Sequence, residues 1–227
     1  MRTYLFIGAS SAMAQATCQQ LLSAGHRVIG ISRSDVNGYS DALLADEYAL
    51  EQLPEITVPL DGLVYFPGTI QLKPFHRFKP EEVLHDMQVN TLGAFQSIQK
   101  YLPNLKQGTS PSIVLFSSVA AGTGMTFHAS IAMAKGAIEA LTRSLAAEFA
   151  PTIRVNAIAP SLTDTPLGEK FLSSPEKREA SAQRNPLKKV GTTEELSNSI
   201  EFLLSAKSSW ITGQILHVDG GMGTLRV

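Results

Sequence analysis

The feature that most restricts how this chain can fold is an alternation that runs from its first residues almost to its last. Short apolar runs rich in Val, Ile, Leu and Phe are separated by longer segments with helical patterning. Residues 4–7, 27–31, 43–45, 62–66, 112–116, 154–159 and 214–218 read as strands. Residues 14–24, 80–101, 130–149 and 194–204 read as helices, with a brief helical pattern at 47–53. Strands apolar on both faces and separated by helices predict an α/β fold with a doubly wound parallel sheet of about seven strands, covered on both faces. No repeat or linker divides the chain, so one domain over 1–227 is expected. The least regular stretch, 161–193, is polar and rich in Pro, Lys and Glu, and reads as a flap.

Composition narrows the partners. Nineteen basic and twenty acidic side chains leave a formal charge of −1, which offers no electrostatic footprint for nucleic acid or an anionic membrane. The single cysteine, Cys18, excludes an internal disulfide and fits a reducing compartment. No run approaches the ~18 apolar residues of a membrane span, and the first residues are too few and too polar for a signal-peptide core. A cytoplasmic protein is expected. His26, His76, His85, His128 and His217 are scattered without ligand spacing, so no metal is expected.

The first strand ends in Gly8-Ala9-Ser10-Ser11-Ala12-Met13-Ala14 and a helix follows directly. In such a turn of small residues, backbone N–H groups and the helix N-terminus can face a pyrophosphate, the arrangement of a Rossmann-type dinucleotide site. Gly8, Ser10, Ser11, Ala12 and Met13 are the candidate contacts. Only Gly8 of the three glycines of that fingerprint is present; Ala12 and Ala14 hold the other places.

Other segments point the same way. Val89-Asn90-Thr91-Leu92-Gly93, the run from Ile113 through Ser117-Ser118 to Gly122, and Ala134-Lys135-Gly136-Ala137 followed by Leu141–Ala146 occur in order. Arg154-Val155-Asn156-Ala157-Ile158-Ala159-Pro160, Ile211-Thr212-Gly213-Gln214 and Val218-Asp219-Gly220-Gly221 close the chain. In these motifs the sequence resembles the short-chain dehydrogenase/reductase family over nearly its whole length. The resemblance implies a nicotinamide dinucleotide cofactor and transfer of hydride to or from a carbonyl or alcohol.

Cofactor choice turns on the end of the second strand. An acidic side chain there accepts ribose hydroxyls and selects NAD, whereas an arginine accommodates a 2′-phosphate. Here Ser32 stands in the acidic place and Arg33 follows, so NADP(H) is favoured over NAD(H). By the resemblance, Asp46 faces the adenine; it could equally cap the 47–53 segment. Gly68 is the one residue kept of the family's Asn-Asn-Ala-Gly, which reads Tyr65-Phe66-Pro67-Gly68 here. Pro160, Thr163 and Thr165 fall in the loop that meets the nicotinamide, and Lys135 on the nicotinamide ribose.

The family's chemistry uses a tyrosine as proton donor, its pKa lowered by a lysine four residues on, with a serine polarising the carbonyl. Lys135, Ser118 and the helix asparagine Asn90 are present. The tyrosine position is Ile131, and no tyrosine lies near it. His128, one turn earlier, and the adjacent Ser130 are candidate relays; His128 could equally be a solvated residue before the helix. Three readings stay open: an oxidoreductase with an atypical proton donor, a silent NADP(H)-binding sensor or subunit, and a different reaction in the same pocket.

By the resemblance, helices 80–101 and 130–149 pair two chains into a homodimer or homotetramer. The second carries an apolar stripe, Ile131, Ile138, Leu141, Leu145 and Phe149, which could instead pack on the sheet. Expected pocket walls are Phe127, Leu162, Leu167 and Ile131, an apolar lining that points to an uncharged carbonyl or alcohol substrate.

Overall fold

The structure, a computed structural model, describes residues 1–226. Its strands are β1 (Thr3–Ile7), β2 (Arg27–Ser32), β3 (Asp41–Leu44), β4 (Gly62–Tyr65), β5 (Ser112–Phe116), β6 (Arg154–Pro160) and β7 (Ile215–Val218). They form one parallel sheet in the order β3-β2-β1-β4-β5-β6-β7. The helices are α1 (Ala12–Ser23), α2 (Pro80–Met87), α3 (Gly93–Leu105), α4 (Val119–Gly122), α5 (Ala129–Phe149), α6 (Pro175–Arg184) and α7 (Thr193–Leu204).

The central strands are buried on both sides because apolar residues fill most of their positions, and the two-residue period sorts the side chains, whereas the edge strands β3 and β7 stay partly exposed. In β1, Leu5 and Ile7 face a core completed by Ile98, Leu105 and Ile138 from α3 and α5. Tyr4 and Phe6 face the opposite core, closed by Cys18 and Leu21 from α1 and by Leu196, Ile200 and Leu203 from α7. The register aligns Leu5 with Leu63, Leu63 with Ile113 and Ile113 with Val155, a continuous apolar row through the four central strands. Strand order reverses between β1 and β4, so the loops leaving these strands part and open a crevice at their C-terminal ends.

Three segments differ from the sequence expectation. Residues 47–53 make a single turn, with the Gln52 and Leu53 amides on Ala49 O, and no helix. One turn recovers too little to offset helix nucleation, and Leu53 is instead spent in the core. The expected 80–101 helix is interrupted by a turn of π-helix at Gln88–Leu92 and runs on to Leu105. The wider turn is held by side chains: Tyr65 Oη donates to Val89 O (2.7 Å) and Asn90 Nδ2 to Asp86 O (2.8 Å). Gly93 leaves room for the tyrosine, since a Cβ there would lie 2.1 Å from Tyr65 Oη. The 161–193 stretch contains α6, capped by Ser174 with Pro175 at its first position, and a bridge between Thr163 and Gly191 ties the base of the excursion.

Candidate active site

The crevice at the switch point is built first by backbone. Gly8 has φ +80°, and a Cβ there would stand 2.8 Å from Pro67 Cδ, so both conformation and space require glycine. The Gly8 and Ala9 amides donate to Ile31 O (2.9 and 3.0 Å), which pins the turn to β2. Ser11 caps α1, its Oγ accepting from the Ala14 amide at 3.1 Å. A cavity of about 520 Å³ opens here, lined by Gly8, Ser10, Ser11, Ala12 and Met13, by Arg33 beyond β2, and by Gly68 and Thr165.

A second cavity of about 480 Å³ continues from it past β4, and Met13, Phe66, Gly68, Thr69 and Leu167 line both. Ser118, His128, Ile131, Lys135 and Pro160 meet in this second space. Gly68 joins the two: a Cβ there would lie 3.2 Å from Asn90 Oδ1 and 3.6 Å from Lys135 Nζ, so the absent side chain keeps a cradle open between them. A long cleft with bare backbone at its bend and a cation beyond β2 fits an extended dinucleotide.

Lys135 is 8 % exposed and its Nζ donates to Phe116 O at 2.9 Å. Burial, with no carboxylate beside it, lowers its pKa from the ordinary 10.5 to about 8. Ser118 caps α4, its Oγ accepting from the Ala120 amide at 3.2 Å. Ile131 is buried against this wall and offers only carbon. His128 precedes α5, partly exposed, its Nδ1 2.7 Å from Thr126 O.

Four expected contacts fall elsewhere. Ser32 is fully buried and its Oγ accepts from the Ser34 amide, so it lines neither cavity. Asp46 caps no helix and is outside both linings; Glu47 and Tyr48 hold that wall. Thr163 is buried, its Oγ1 donating to Ser161 O, and only Thr165 of the pair reaches the cleft. Phe127 is about half exposed and lies outside the substrate-side lining, whereas Leu162, Leu167 and Ile131 belong to it.

Asn90 is buried behind the cleft, in a network that the sequence reading missed. Its Nδ2 donates to Thr69 Oγ1 (2.8 Å) and its Oδ1 accepts from the Thr69 amide (3.3 Å). Thr69 Oγ1 donates in turn to the carboxylate of Asp86 (2.5 Å). Asp86 is fully buried and also accepts from Ser130 Oγ (2.5 Å) and Gln71 Nε2 (3.3 Å). Three neutral donors satisfy the carboxylate where no cation does among the described residues. The network locks Ser130, one residue before Ile131, to the π turn that carries Asn90. Only Ser130 and Asn90 were visible beforehand; Asp86 is marked by nothing more than its place four residues before Asn90.

Of the expected dimer stripe, Ile138 and Phe149 are buried in the core beneath the sheet and Leu141 and Leu145 pack against it, while Ile131 is buried at the cavity wall. Among the described residues no helix is long and apolar enough to cross a membrane, and no group of three or more His, Cys, Asp or Glu is placed to hold a metal ion.

Comparison with known proteins agrees with this geometry. Residues 45–223 match a family model described as Enoyl-(Acyl carrier protein) reductase. The chain is 33 % identical to the L-xylulose reductase of Bos taurus over 97 % of its own length and 96 % of the relative's. The structure superposes on the Thermoplasma acidophilum aldohexose dehydrogenase with a TM-score of 0.90 at 26 % identity, covering 99 % of this chain and 95 % of that one. It superposes on a 2-deoxy-D-gluconate 3-dehydrogenase candidate from Agrobacterium tumefaciens, solved with bound NADP, with a TM-score of 0.87 at 28 % identity, covering 97 % and 96 %. Fold, cleft and relatives agree, and the chain belongs to the short-chain dehydrogenase/reductase family of oxidoreductases.

Proposed function

We propose that this protein is an NADP(H)-dependent oxidoreductase acting on a small carbonyl compound or the corresponding alcohol, with an atypical proton donor. The carrying observation is that Ser118 and Lys135 line a cavity that shares Met13, Gly68 and Thr69 with the one at the Gly8–Met13 cradle. Arg33, lining the nucleotide side with no acid in the place of Ser32, favours a 2′-phosphate, and the Agrobacterium tumefaciens relative carries NADP. In one domain, the 161–193 excursion serves as the flap over the substrate, with Thr165 on the nucleotide.

When bound, the nucleotide supplies or accepts a hydride at the carbonyl carbon. Ser118 Oγ then polarises the carbonyl oxygen, which must gain a proton in the reductive direction. Ile131 has none to give. The Lys135 ammonium, with its pKa near 8, is the acid that the floor of the cavity offers, directly or through one water. Asn90, fixed by Thr69, holds the π turn beside Gly68, and Phe116 O holds the Lys135 ammonium.

Exposed Leu84, Leu92, Phe95 and Met133, on the outer faces of α2, the π turn, α3 and α5, support pairing of two chains through these helices into a homodimer or homotetramer. A cytoplasmic setting fits the lone buried Cys18. The deciding experiment follows NADPH by nicotinamide fluorescence and absorbance while a panel of aldehydes, ketones and alcohols is offered. NADPH-dependent turnover is the expected result. Tight nucleotide binding without turnover of any substrate would establish the silent binding protein, the reading that the buried Ile131 favours.

A further inference from the structure

One wall of the substrate cavity carries a charge pattern that hydride transfer does not use. α6 turns Lys177, Ala180, Ser181 and Arg184 toward it, a spacing that places all four on one helical face. Lys170, from the turn before α6, lines the same space, and no Asp or Glu among the described residues does. The acids of α6 stand on its other faces, Glu179 accepting from Gln183 Nε2 at 2.7 Å. The remaining base, Arg178, lies outside the lining and is neutralised by Asp164 at 2.8 Å. The helix thus pairs the cation that faces away and leaves unpaired the two that face in.

Their tethers differ in a useful way. Lys170 Nζ donates to Ile70 O (2.8 Å) and lies 5.0 Å from the centroid of the Phe171 ring, which fixes it at the mouth. Lys177 Nζ donates once, to Ser173 Oγ (2.9 Å). The Arg184 guanidinium has no side-chain hydrogen bond or ion pair among the described residues. Between the two cations, Ala180 and Ser181 are short and leave space against the helix. A planar fork of donors beside an ammonium, over a floor of small residues, matches a carboxylate or phosphate.

We propose that the substrate carries a terminal anionic group, carboxylate or phosphate, held by Arg184 and Lys177 while its carbonyl lies against Ser118. The carbonyl part of this assignment rests on the oxidoreductase reading; the anion part rests on the α6 face. The cofactor's phosphates do not account for these cations, because the Gly8–Met13 turn and Arg33 line the neighbouring cavity, where neither Lys177 nor Arg184 reaches. The lining departs from the uncharged one expected from sequence for a plain reason. Phe127 drops out of it, and the cations enter on a helix folded from the stretch that looked irregular.

The test uses two matched pairs with NADPH: 4-oxopentanoate against its methyl ester, and dihydroxyacetone phosphate against dihydroxyacetone. The wild type should favour the anionic member of one pair by about tenfold or more in kcat/KM, and the winning pair tells carboxylate from phosphate. In Lys177→Met/Arg184→Met that preference should fall by about tenfold, through KM, with the NADPH dissociation constant little changed. Arg178→Met should keep the preference. In the wild type, added salt should raise KM for the anion more than for its neutral partner. Equal or better use of the neutral members, or a preference untouched by the double variant, overturns the proposal. Where nothing turns over, the same four compounds are titrated calorimetrically onto the protein with NADP⁺ present. Anions that bind no tighter than their neutral partners overturn the anion site, whereas selective anion binding without turnover sinks only the oxidoreductase reading.

Discussion

The two halves of the cleft are made from different materials. The nucleotide half is a backbone structure: a left-handed glycine at position 8, two amides on Ile31 O, and a capped helix start within seven residues of one another. The substrate half is a side-chain structure. Ser118 follows β5, Ile131 and Lys135 lie on α5, Pro160 ends β6, and Lys177 and Arg184 come from α6. A backbone site tolerates Ala12 and Ala14 in place of glycine, provided that Gly8 keeps its φ. A side-chain site changes chemistry with one substitution, and in the reading proposed above the carbon-only side chain of Ile131 is where that matters. Nucleotide binding and proton delivery should therefore fail independently.

The largest separation is expected from Lys135→Met. Loss of the acid should lower kcat/KM for reduction by roughly 10²–10⁴-fold, the range of general acid catalysis, with a smaller rise in the NADPH dissociation constant. Steady-state rates set beside a fluorescence titration give both numbers. Equal losses in both would make Lys135 a nucleotide clamp only and leave the proton to another group.

The same lysine should mark the stability of the nucleotide-free protein. Its folded pKa, about 8, lies below the unfolded 10.5. Between these values the unfolded chain binds the proton and the folded one does not, so stability rises with pH across that window. The gain is of the order of a few kcal/mol and is absent below about pH 8. Buried Cys18, pushed up from 9.0 to about 11, acts in the opposite sense from about pH 9, and buried Tyr39, Tyr65 and Tyr101, also raised, do so above about pH 10. These groups are shared by wild type and variant and cancel in the comparison. The contribution is best read between pH 8 and 10, as the difference in denaturant midpoint between wild type and Lys135→Met. A difference that stays flat with pH would place a charged, solvated lysine in the fold.

On the nucleotide side, Arg33→Ala should weaken NADPH by about ten- to a hundredfold and NADH much less, because only the former offers a 2′-phosphate to the guanidinium. Equal weakening, or none, would leave Arg33 a surface residue and remove the basis for preferring NADP(H).

The contrast also explains how much could be read in advance. The sheet was legible because a doubly buried strand is apolar at most of its positions, and the turn after β1 because backbone geometry restricts its residues locally. Ser118 and Lys135 were legible as motif positions. Burial of Ser32 was not, since a serine at a strand end reads the same facing solvent or core. The π turn depends on Tyr65 and Gly93, twenty-eight residues apart, and the Asp86 network draws on three segments. No local pattern announces such meetings. α6 did carry its signals, Ser174, Pro175 and Glu176, but its polar composition hid them.

The smallest effect is expected from His128, the group that sequence alone offered as a relay. Its Nδ1 lies 2.7 Å from Thr126 O, and a carbonyl can only accept, so Nδ1 carries the hydrogen. The side chain is also partly exposed and stands outside the Asp86 network that fixes the neighbouring Ser130. His128→Gln should change kcat by less than about threefold, the scale of an ordinary surface substitution, and should leave the inflection near pH 8 with Lys135. A loss above about tenfold, with that inflection displaced, would move the acid from the floor of the cavity to its mouth. Proton delivery would then depend on solvent access, and the two halves of the cleft would be coupled by whatever closes over residue 128.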